Sequence, residues 1–519
     1  MWENGPDLAA YTALGHRIVL GSIAIFAVLS FVLRYPYNRW RNATINRRHN
    51  CLPPPRLKSA DKLLGLDTVS RLRRAVAERR FLPLLLDLFQ ETGAWTVEVN
   101  LAGNANIWTA EPDVIKTILA TKSKDWHVGT SRKEAMQPIV GQNIVITEGK
   151  DWHNTRAAMR PAFGKRQFGD LSELEGHVDR LMEHLPTDGR TVVDLKPLFY
   201  MLSMDVSTEF LFGVSTNNLS AAYDAEGAAF ADALDLIQSS MVKGQWLGKL
   251  GALLFPNKKL RDAVALMNRR FDKFIDMAAK FDSQESKGSS DEESEQSYNI
   301  LHELTRTWSG NPNRIRSEAL ILLIGGRDTT ASALSNMFYY LARDPEVWQK
   351  IRQECLAVAA ERPTFDELRG LKYLHNCVRE SLRLVNPTLD VSRTAAVDTI
   401  LPRGGGADGQ SPMFVRKGTN FNLWIYGMQH RKDLWGPDAD EFCPKRWDDY
   451  KISSWAYSPF GGGARLCIGQ QLALTETMYA TFRLARKFSS IQSTDSRPWT
   501  ENLSIATTSV YGNLVRLIP

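Results

Sequence analysis

The stretch Ser458-Pro-Phe-Gly-Gly-Gly-Ala-Arg-Leu-Cys-Ile-Gly469 sets one cysteine behind three consecutive glycines and ahead of an apolar run that predicts a helix from about Gln470. Backbone N–H groups at the start of such a helix, and its dipole, favour negative charge, so Cys467 sits where a thiolate is stabilised and its pKa is expected to fall. Glycine lets backbone approach a flat ligand closely and adopts the positive φ that a tight turn demands. The competing reading is a buried structural cysteine beside a glycine-rich turn. A phosphate-cradling loop is excluded, because no Gly-Lys-Ser/Thr follows the glycines.

Phe460, Gly463, Arg465, Cys467 and Gly469 fall at the spacing Phe-x-x-Gly-x-Arg-x-Cys-x-Gly. This resembles the haem-ligand loop of the cytochrome P450 monooxygenases. The resemblance implies haem b, an axial thiolate from Cys467 to its iron, and Phe460, Arg465 and Gly469 against the cofactor. A thiolate opposite the oxygen site pushes electron density onto the iron and favours O–O cleavage. The fold implied is mainly α with a small β-rich lobe, the cytochrome P450 fold.

The chain has 519 residues, 43% hydrophobic and 24% charged, which is ordinary globular composition. Length alone would call for two or more domains; the resemblance implies one large catalytic domain instead. A formal net charge of +6 is a mild excess that points to anionic membrane surfaces or an acidic partner, not to nucleic acid. The five cysteines (Cys51, Cys355, Cys377, Cys443 and Cys467) are scattered and odd in number, which argues for a reducing compartment and against a disulfide framework.

Near the N-terminus, residues 9–33 are apolar apart from His16 and Arg17. The uninterrupted part, Ile18 to Leu33, is a little short of the roughly 20 residues that span a bilayer, and including Ala9 to Leu14 reaches that length. A cleaved signal peptide would want a basic beginning and a small-residue cleavage site. This chain instead carries Glu3 and Asp7, and the apolar run ends in Leu-Arg-Tyr-Pro. Arg34, Arg39, Arg41, Arg47 and Arg48 follow, which puts that side in the cytosol by the positive-inside rule. The expected organisation is a lumenal N-terminus (1–8), a transmembrane anchor (9–33), a basic and proline-rich linker (34–55) and the catalytic domain (56–519). The linker ends in Pro53-Pro54-Pro55, a stiff spacer. This segment resembles the proline hinge of microsomal cytochrome P450 family members, and the resemblance implies location in the endoplasmic reticulum membrane, single-pass, with the catalytic domain cytosolic.

Other stretches extend the resemblance. Trp152 and Arg156 are four apart, on one helix face, and match the family's Trp-x-x-x-Arg pair that donates to a haem propionate. Leu322-Leu-Ile-Gly-Gly-Arg-Asp-Thr-Thr-Ala331 lies inside an apolar helix expected over 315–342. Two glycines there cost about 1 kcal/mol each relative to alanine, and an acid and two threonines cost more unless satisfied. The segment is similar to the family's oxygen-binding motif. That similarity implies a groove at Gly325 and Gly326, a hydrogen bond from Thr329 to oxygen at the iron, and proton relay through Asp328. Glu380 and Arg383 match Glu-x-x-Arg, and Arg446 completes the buried Glu-Arg-Arg cluster, a structural role. Arg393 fits a further propionate-binding arginine. The segment before it normally passes the substrate, so Asp390 there argues against a purely hydrocarbon ligand; a solvated turn carboxylate is the alternative.

Leu260, Val264, Met267, Phe271, Phe274, Ala278 and Phe281 follow a 3–4 spacing and predict an amphipathic helix, a core stripe that in the family roofs the substrate cavity. Ser283 to Ser297 is nearly devoid of apolar residues and predicts a solvated loop. Thr208 to Gly213, the glycine-rich Leu401 to Pro412 and Gly469 to Glu476 resemble the fungal alkane and fatty-acid hydroxylases. The function implied is a membrane-anchored monooxygenase inserting one atom of O2 into a C–H bond of a lipophilic substrate, a long alkyl chain or fatty acid at its terminal carbon. The alternative within the family is a tailoring oxidation of a fungal secondary metabolite such as a polyketide. No dinucleotide-binding fingerprint is present, so electrons are expected from a separate NADPH-dependent cytochrome P450 reductase. A haem-thiolate isomerase or dehydratase and a non-catalytic haem sensor are the rival classes; the intact Asp328-Thr329 pair argues against both.

Overall fold

The computed structural model describes residues 41–164, 169–220, 225–247, 257–285, 300–449 and 453–519. The expected anchor at 9–33 lies outside the described residues, and among those described no helix is long and apolar enough to cross a membrane.

The architecture is mainly helical with small sheets. The helices that position the site are, in chain order, α1 (Leu66–Ala77), α2 (Phe81–Thr92), α3 (Thr130–Val140), α4 (Gly149–Met159), α5 (Leu195–Phe212), α6 (Ala225–Leu247), α7 (Lys258–Glu285), α8 (Pro312–Leu341), α9 (Lys372–Leu384) and α10 (Gln470–Lys487). The strands are β1 (Thr96–Leu101), β2 (Asn104–Thr109), β3 (Trp126–Val128), β4 (Asp390–Ala395), β5 (Thr399–Gly405), β6 (Ser411–Val415) and β7 (Asn420–Trp424). One five-stranded sheet runs β1-β2-β7-β4-β3, with only β2 and β7 parallel, and β5 and β6 form a separate hairpin.

The 30-residue α8 is the axis of the molecule. At about 1.5 Å per residue it is some 45 Å long. Its start is fixed by Asn311, whose side chain accepts from the Arg314 N–H, and by Pro312 in the first turn. Its C-terminal half buries Leu334, Met337, Phe338 and Leu341 in a core shared with α5, α9 and α10. Its N-terminal half buries Ile315, Ala319, Leu320 and Leu323 against α6 and α7. The stripe expected at 260–281 belongs to α7: Leu260, Met267, Phe271 and Phe274 are buried, with Phe274 stacked on Phe212 at 4.6 Å between ring centroids. It is a core stripe. Of the loop expected at 283–297, Ser283 to Glu285 are the end of α7, and the rest lies outside the described residues.

The glycine-rich stretch Leu401 to Pro412 is the β5–β6 hairpin, and it docks on the segment before the catalytic body. The Leu52 N–H donates to Pro412 O at 2.9 Å and the Gly406 N–H to Pro53 O at 3.0 Å. A Cβ at Gly405 would stand 2.2 Å from Leu52 O, so glycine is required for backbone to lie on backbone. The stretch is therefore a fixed seat for the Pro53-Pro54-Pro55 segment.

Glu380 and Arg383 on α9 are both fully buried and paired, Nε to Oε2 at 2.9 Å and Nη2 to Oε1 at 2.8 Å. Arg446 reaches the same carboxylate at 3.2 Å, and the Trp447 indole N–H donates to it at 2.9 Å. This cluster pins the segment 439–447 beneath α9 and so supports the loop that follows.

Candidate functional site

A cavity of about 390 Å³ is lined by the middle of α8, the Ser458–Gly469 loop, α4 and β4. Ile321, Gly325 and Thr329 contribute from successive turns of one α8 face. A Cβ at Gly325 would meet nothing within 4 Å, so this glycine opens the helix surface to the cavity. Gly326 has a different role: a Cβ there would stand 2.5 Å from Ser207 Oγ, so it lets α5 press against α8.

The cysteine loop is held against the body by close backbone contact. Gly463 has φ +66°, and a Cβ there would lie 2.0 Å from Leu119 O. The Cys467 N–H donates to Phe460 O at 3.0 Å, folding the loop so that Phe460, Cys467 and Gly469 all line the cavity. The cysteine is accessible, yet burial raises its thiol pKa; its open surface is the wall of an enclosed space. The Gly469 N–H and Arg156 favour the thiolate, as expected of this loop, and burial acts against them; an iron bonded to the sulfur would add the charge that holds the thiolate.

Trp152, Arg156, Arg393 and Arg465 all line the cavity, brought together from α4, β4 and the loop. The Arg465 guanidinium stacks over the Trp152 ring at 4.6 Å and donates to Thr147 O. Arg156 donates to Leu466 O at 2.7 Å and Arg393 to Ser392 O at 2.8 Å. None of these arginines pairs with a carboxylate among the described residues. Burial lowers the pKa of Arg156 and Arg465, and that of Arg393 to about 9, where Arg132 and Arg465 add repulsion. Buried cations without counter-charge are costly. A flat ligand with two carboxylates, placed between an open Gly325 and a cysteine sulfur, fits this donor set. Haem b is such a ligand.

Thr329 Oγ donates to Gly325 O at 2.6 Å, which leaves its lone pairs for the cavity. Asp328 is not among the lining residues. Its carboxylate is buried, accepts from Gln238 of α6 and pairs with Arg327 at 3.3 Å, and burial raises its pKa to about 6. Arg327 also reaches the exposed Asp235 at 2.6 Å. Asp390 does not line the cavity either; it accepts from Asn422 across the β4–β7 pair at 2.9 Å. That removes its objection to an apolar substrate.

Two charged lining residues escaped the sequence reading. Arg132 of α3 carries no motif and is found only by its position. Glu476 of α10 is buried, accepts from Ser203 of α5 at 2.6 Å, and has its pKa raised by burial to about 7. It lies in the Gly469–Glu476 stretch already singled out, so a buried polar group inside an apolar helix was the available signal.

Comparisons with known proteins point one way. The sequence model of the family described as Cytochrome P450 matches residues 78–513. The chain is 38% identical over 520 residues to cytochrome P450 monooxygenase himC of Aspergillus japonicus, covering 99% of this chain and 92% of that protein. It is 36% identical to cytochrome P450 monooxygenase fsdH of Fusarium heterosporum, over 90% of this chain and 83% of that protein. It is also 36% identical to cytochrome P450 52-E3 of Starmerella bombicola, over 92% of each.

Proposed function

The chain belongs to the cytochrome P450 monooxygenases, and from that premise we propose that it is a membrane-anchored enzyme oxidising a C–H bond of a long alkyl chain or fatty acid at its terminal carbon. The observation that carries this is the largely apolar cavity between Thr329 and Cys467, walled at one side by unpaired guanidiniums. Haem b, when bound, supplies the iron at which O2 is reduced and the substrate is oxidised. Cys467 gives that iron its thiolate, held in place by the Phe460–Cys467 hydrogen bond. Arg156, Arg393 and Arg465 would neutralise the propionates, Trp152 would donate its indole N–H to one of them, and Phe460 and Gly469 would back the ring. Electrons come from a separate NADPH-dependent reductase.

Thr329 and Asp328 divide the handling of protons. The Thr329 hydroxyl, anchored on Gly325 O, positions water at the cavity wall. Asp328, its pKa raised by burial to about 6, exchanges a proton behind the helix and is linked through Arg327 to the surface carboxylate of Asp235. The Thr329→Ala protein is expected to bind haem and substrate, and to consume NADPH and O2 with a reductase. Its product per NADPH should fall on the order of tenfold, with hydrogen peroxide released. That is less than the typical 10²–10⁴-fold of an acid–base group, because water substitutes in part. Unchanged rate and coupling would remove Thr329 from this role.

Deleting residues 1–33 should reduce membrane association measured by flotation. Asn42-Ala-Thr44 is a glycosylation sequon on the side assigned to the cytosol, so mass analysis should find Asn42 unmodified. A glycan there would reverse the orientation.

A spectral binding screen of alkanes, fatty acids and polyketides, with mass analysis of turnover products, tests the substrate. Tailoring of a fungal secondary metabolite is the second reading. It is favoured by the polar side chains of Asn386 and Thr388 in the cavity wall.

A further inference from the structure

Glu318 of α8 is a fully buried acid one turn before the cavity-lining Leu322. A buried carboxylate is costly unless it is paired and hydrogen-bonded. Its two oxygens divide their partners. Oε1 accepts from Arg314, Nε at 3.0 Å and Nη2 at 2.9 Å, and Oε2 accepts the Ile144 N–H at 2.8 Å. Arg314 has other partners: it pairs with Asp151 of α4 at 3.0 Å and donates to Thr155 at 3.0 Å and to Gln142 at 3.3 Å. What Glu318 alone adds is the bond to Ile144. Burial raises its pKa to about 7, against the Ile144 N–H and Arg314, and either protonation form accepts that N–H.

Ile144 belongs to the turn between α3 and α4. Gly141, at φ +66°, lets the chain enter that turn against α8, where a Cβ would stand 2.2 Å from Ser317 Oγ. The fully buried Asn143 closes the turn. Its carbonyl accepts the Ile146 N–H at 3.1 Å, the Thr147 N–H at 3.0 Å and the Thr147 hydroxyl at 2.9 Å, and its side chain accepts the Val145 N–H at 3.0 Å. Residues 143–147 are therefore one tied unit. On its other side, this unit accepts from Arg465, at Thr147 O and, at 3.5 Å, at Ile144 O. A continuous path of hydrogen bonds thus runs from Glu318 through the turn to the Arg465 guanidinium, which rests on the Trp152 ring.

We propose that Glu318 is a positioning residue for the cofactor: by holding the 143–147 turn against α8 it aims Arg465 at a haem propionate, and so slows haem loss. Glu318 touches neither haem nor substrate and acts through Arg465. The role needs an acceptor at position 318 that reaches the Ile144 N–H, and a carboxylate is the stronger acceptor. This rests on the assignment of Arg465 to a propionate, which one arm of the test examines by itself. It does not depend on which substrate the cavity takes.

The test follows haem transfer from the full-length ferric protein to apomyoglobin. Glu318→Met keeps the volume and removes the acceptor, while Arg314 keeps Asp151, so a folded protein is expected. It should lose haem about tenfold faster, the effect of one hydrogen bond of ordinary strength. Glu318→Gln keeps a neutral acceptor for the Ile144 N–H and should lose haem only about two- to threefold faster. In an Arg465→Ala background both effects should shrink to within about 1.5-fold, because residues acting as one unit are not additive. Glu318→Met with haem loss at the unaltered rate overturns the proposal. So does an effect of equal size with and without the Arg465 guanidinium, which is what a plain packing role gives. Glu318→Gln losing haem as fast as Glu318→Met would assign the effect to the Arg314 charge pair and also overturn it. If Glu318→Met does not fold, the Glu318→Gln step decides alone: its absence, or its survival without Arg465, overturns the proposal. Arg465→Ala is the separate arm. Unchanged haem loss there removes Arg465 from the propionates and this inference with it, whereas fast loss there with unaffected Glu318 variants sinks this inference only.

Discussion

Replacing Cys467 with alanine is expected to abolish the strongly red-shifted Soret band that the reduced protein should show with carbon monoxide. That band reports a thiolate on the iron. Cys467 is the one cysteine of the chain that lines the cavity. Cys355 and Cys377 are buried in the core, where burial pushes their thiols up, to about 12 for Cys355. Cys51 is buried, burial raises its thiol pKa, and its sulfur contacts His49 O. Cys443 lies at the Glu380 cluster, where its N–H donates to that carboxylate. Alanine at each of these four positions should leave the band intact, at the modest stability cost of a small core truncation. No neighbouring thiol can take over in Cys467→Ala, because the loop is closed by Gly463 against Leu119 and cannot slide. A normal band in that variant would end the assignment.

The second large effect belongs to Arg383. Its five N–H groups make five hydrogen bonds: two to Glu380, and one each to Gln429 O, Ala439 O and Glu441 O. Both side chains of the pair are fully buried. Arg383→Ala leaves a buried carboxylate short of its main partner and three carbonyls without donors. Breaking a buried pair costs about 3–5 kcal/mol, against a total of roughly 5–15 kcal/mol for a native protein. The expected result is almost no folded, haem-loaded protein. Arg383→Lys should not rescue it, because an ammonium has three donors and no planar fork. Arg446→Ala should be milder, since Arg446 also bonds Asp438 nearer the surface and Arg383 still holds Glu380. Haem content per polypeptide and thermal unfolding report the outcome. Arg383→Ala purified at normal yield and midpoint would remove the cluster from its structural role.

Much of the site is legible in the chain because its motifs are short. Phe460 to Gly469, Trp152 with Arg156, Glu380 with Arg383, and Gly325 to Thr330 are each set by spacings of a few residues. A helix or a glycine turn converts such spacings into fixed local geometry. The same stretches carry the family resemblance, and the matching family model and relatives agree with it. The long helix was expected over 315–342 and runs from Pro312 to Leu341, since the apolar pattern marks its middle and the Asn311 cap sets its start.

What only the tertiary structure decided is direction. Neighbours on a helix point about 100° apart, so Thr329 lines the cavity while Asp328 turns to Gln238. For the same reason Gly325 opens to the cavity and Gly326 admits Ser207. Asp390, suspected of facing the substrate, is held by Asn422, and Arg132, part of no motif, is inside. Burial contributed by distant segments also raises the Cys467 thiol pKa, against the local effect of the Gly469 N–H. Sequence spacing determined which residues could do the chemistry. Which way each side chain faces was settled by contacts between elements far apart in the chain, and no local pattern encodes those.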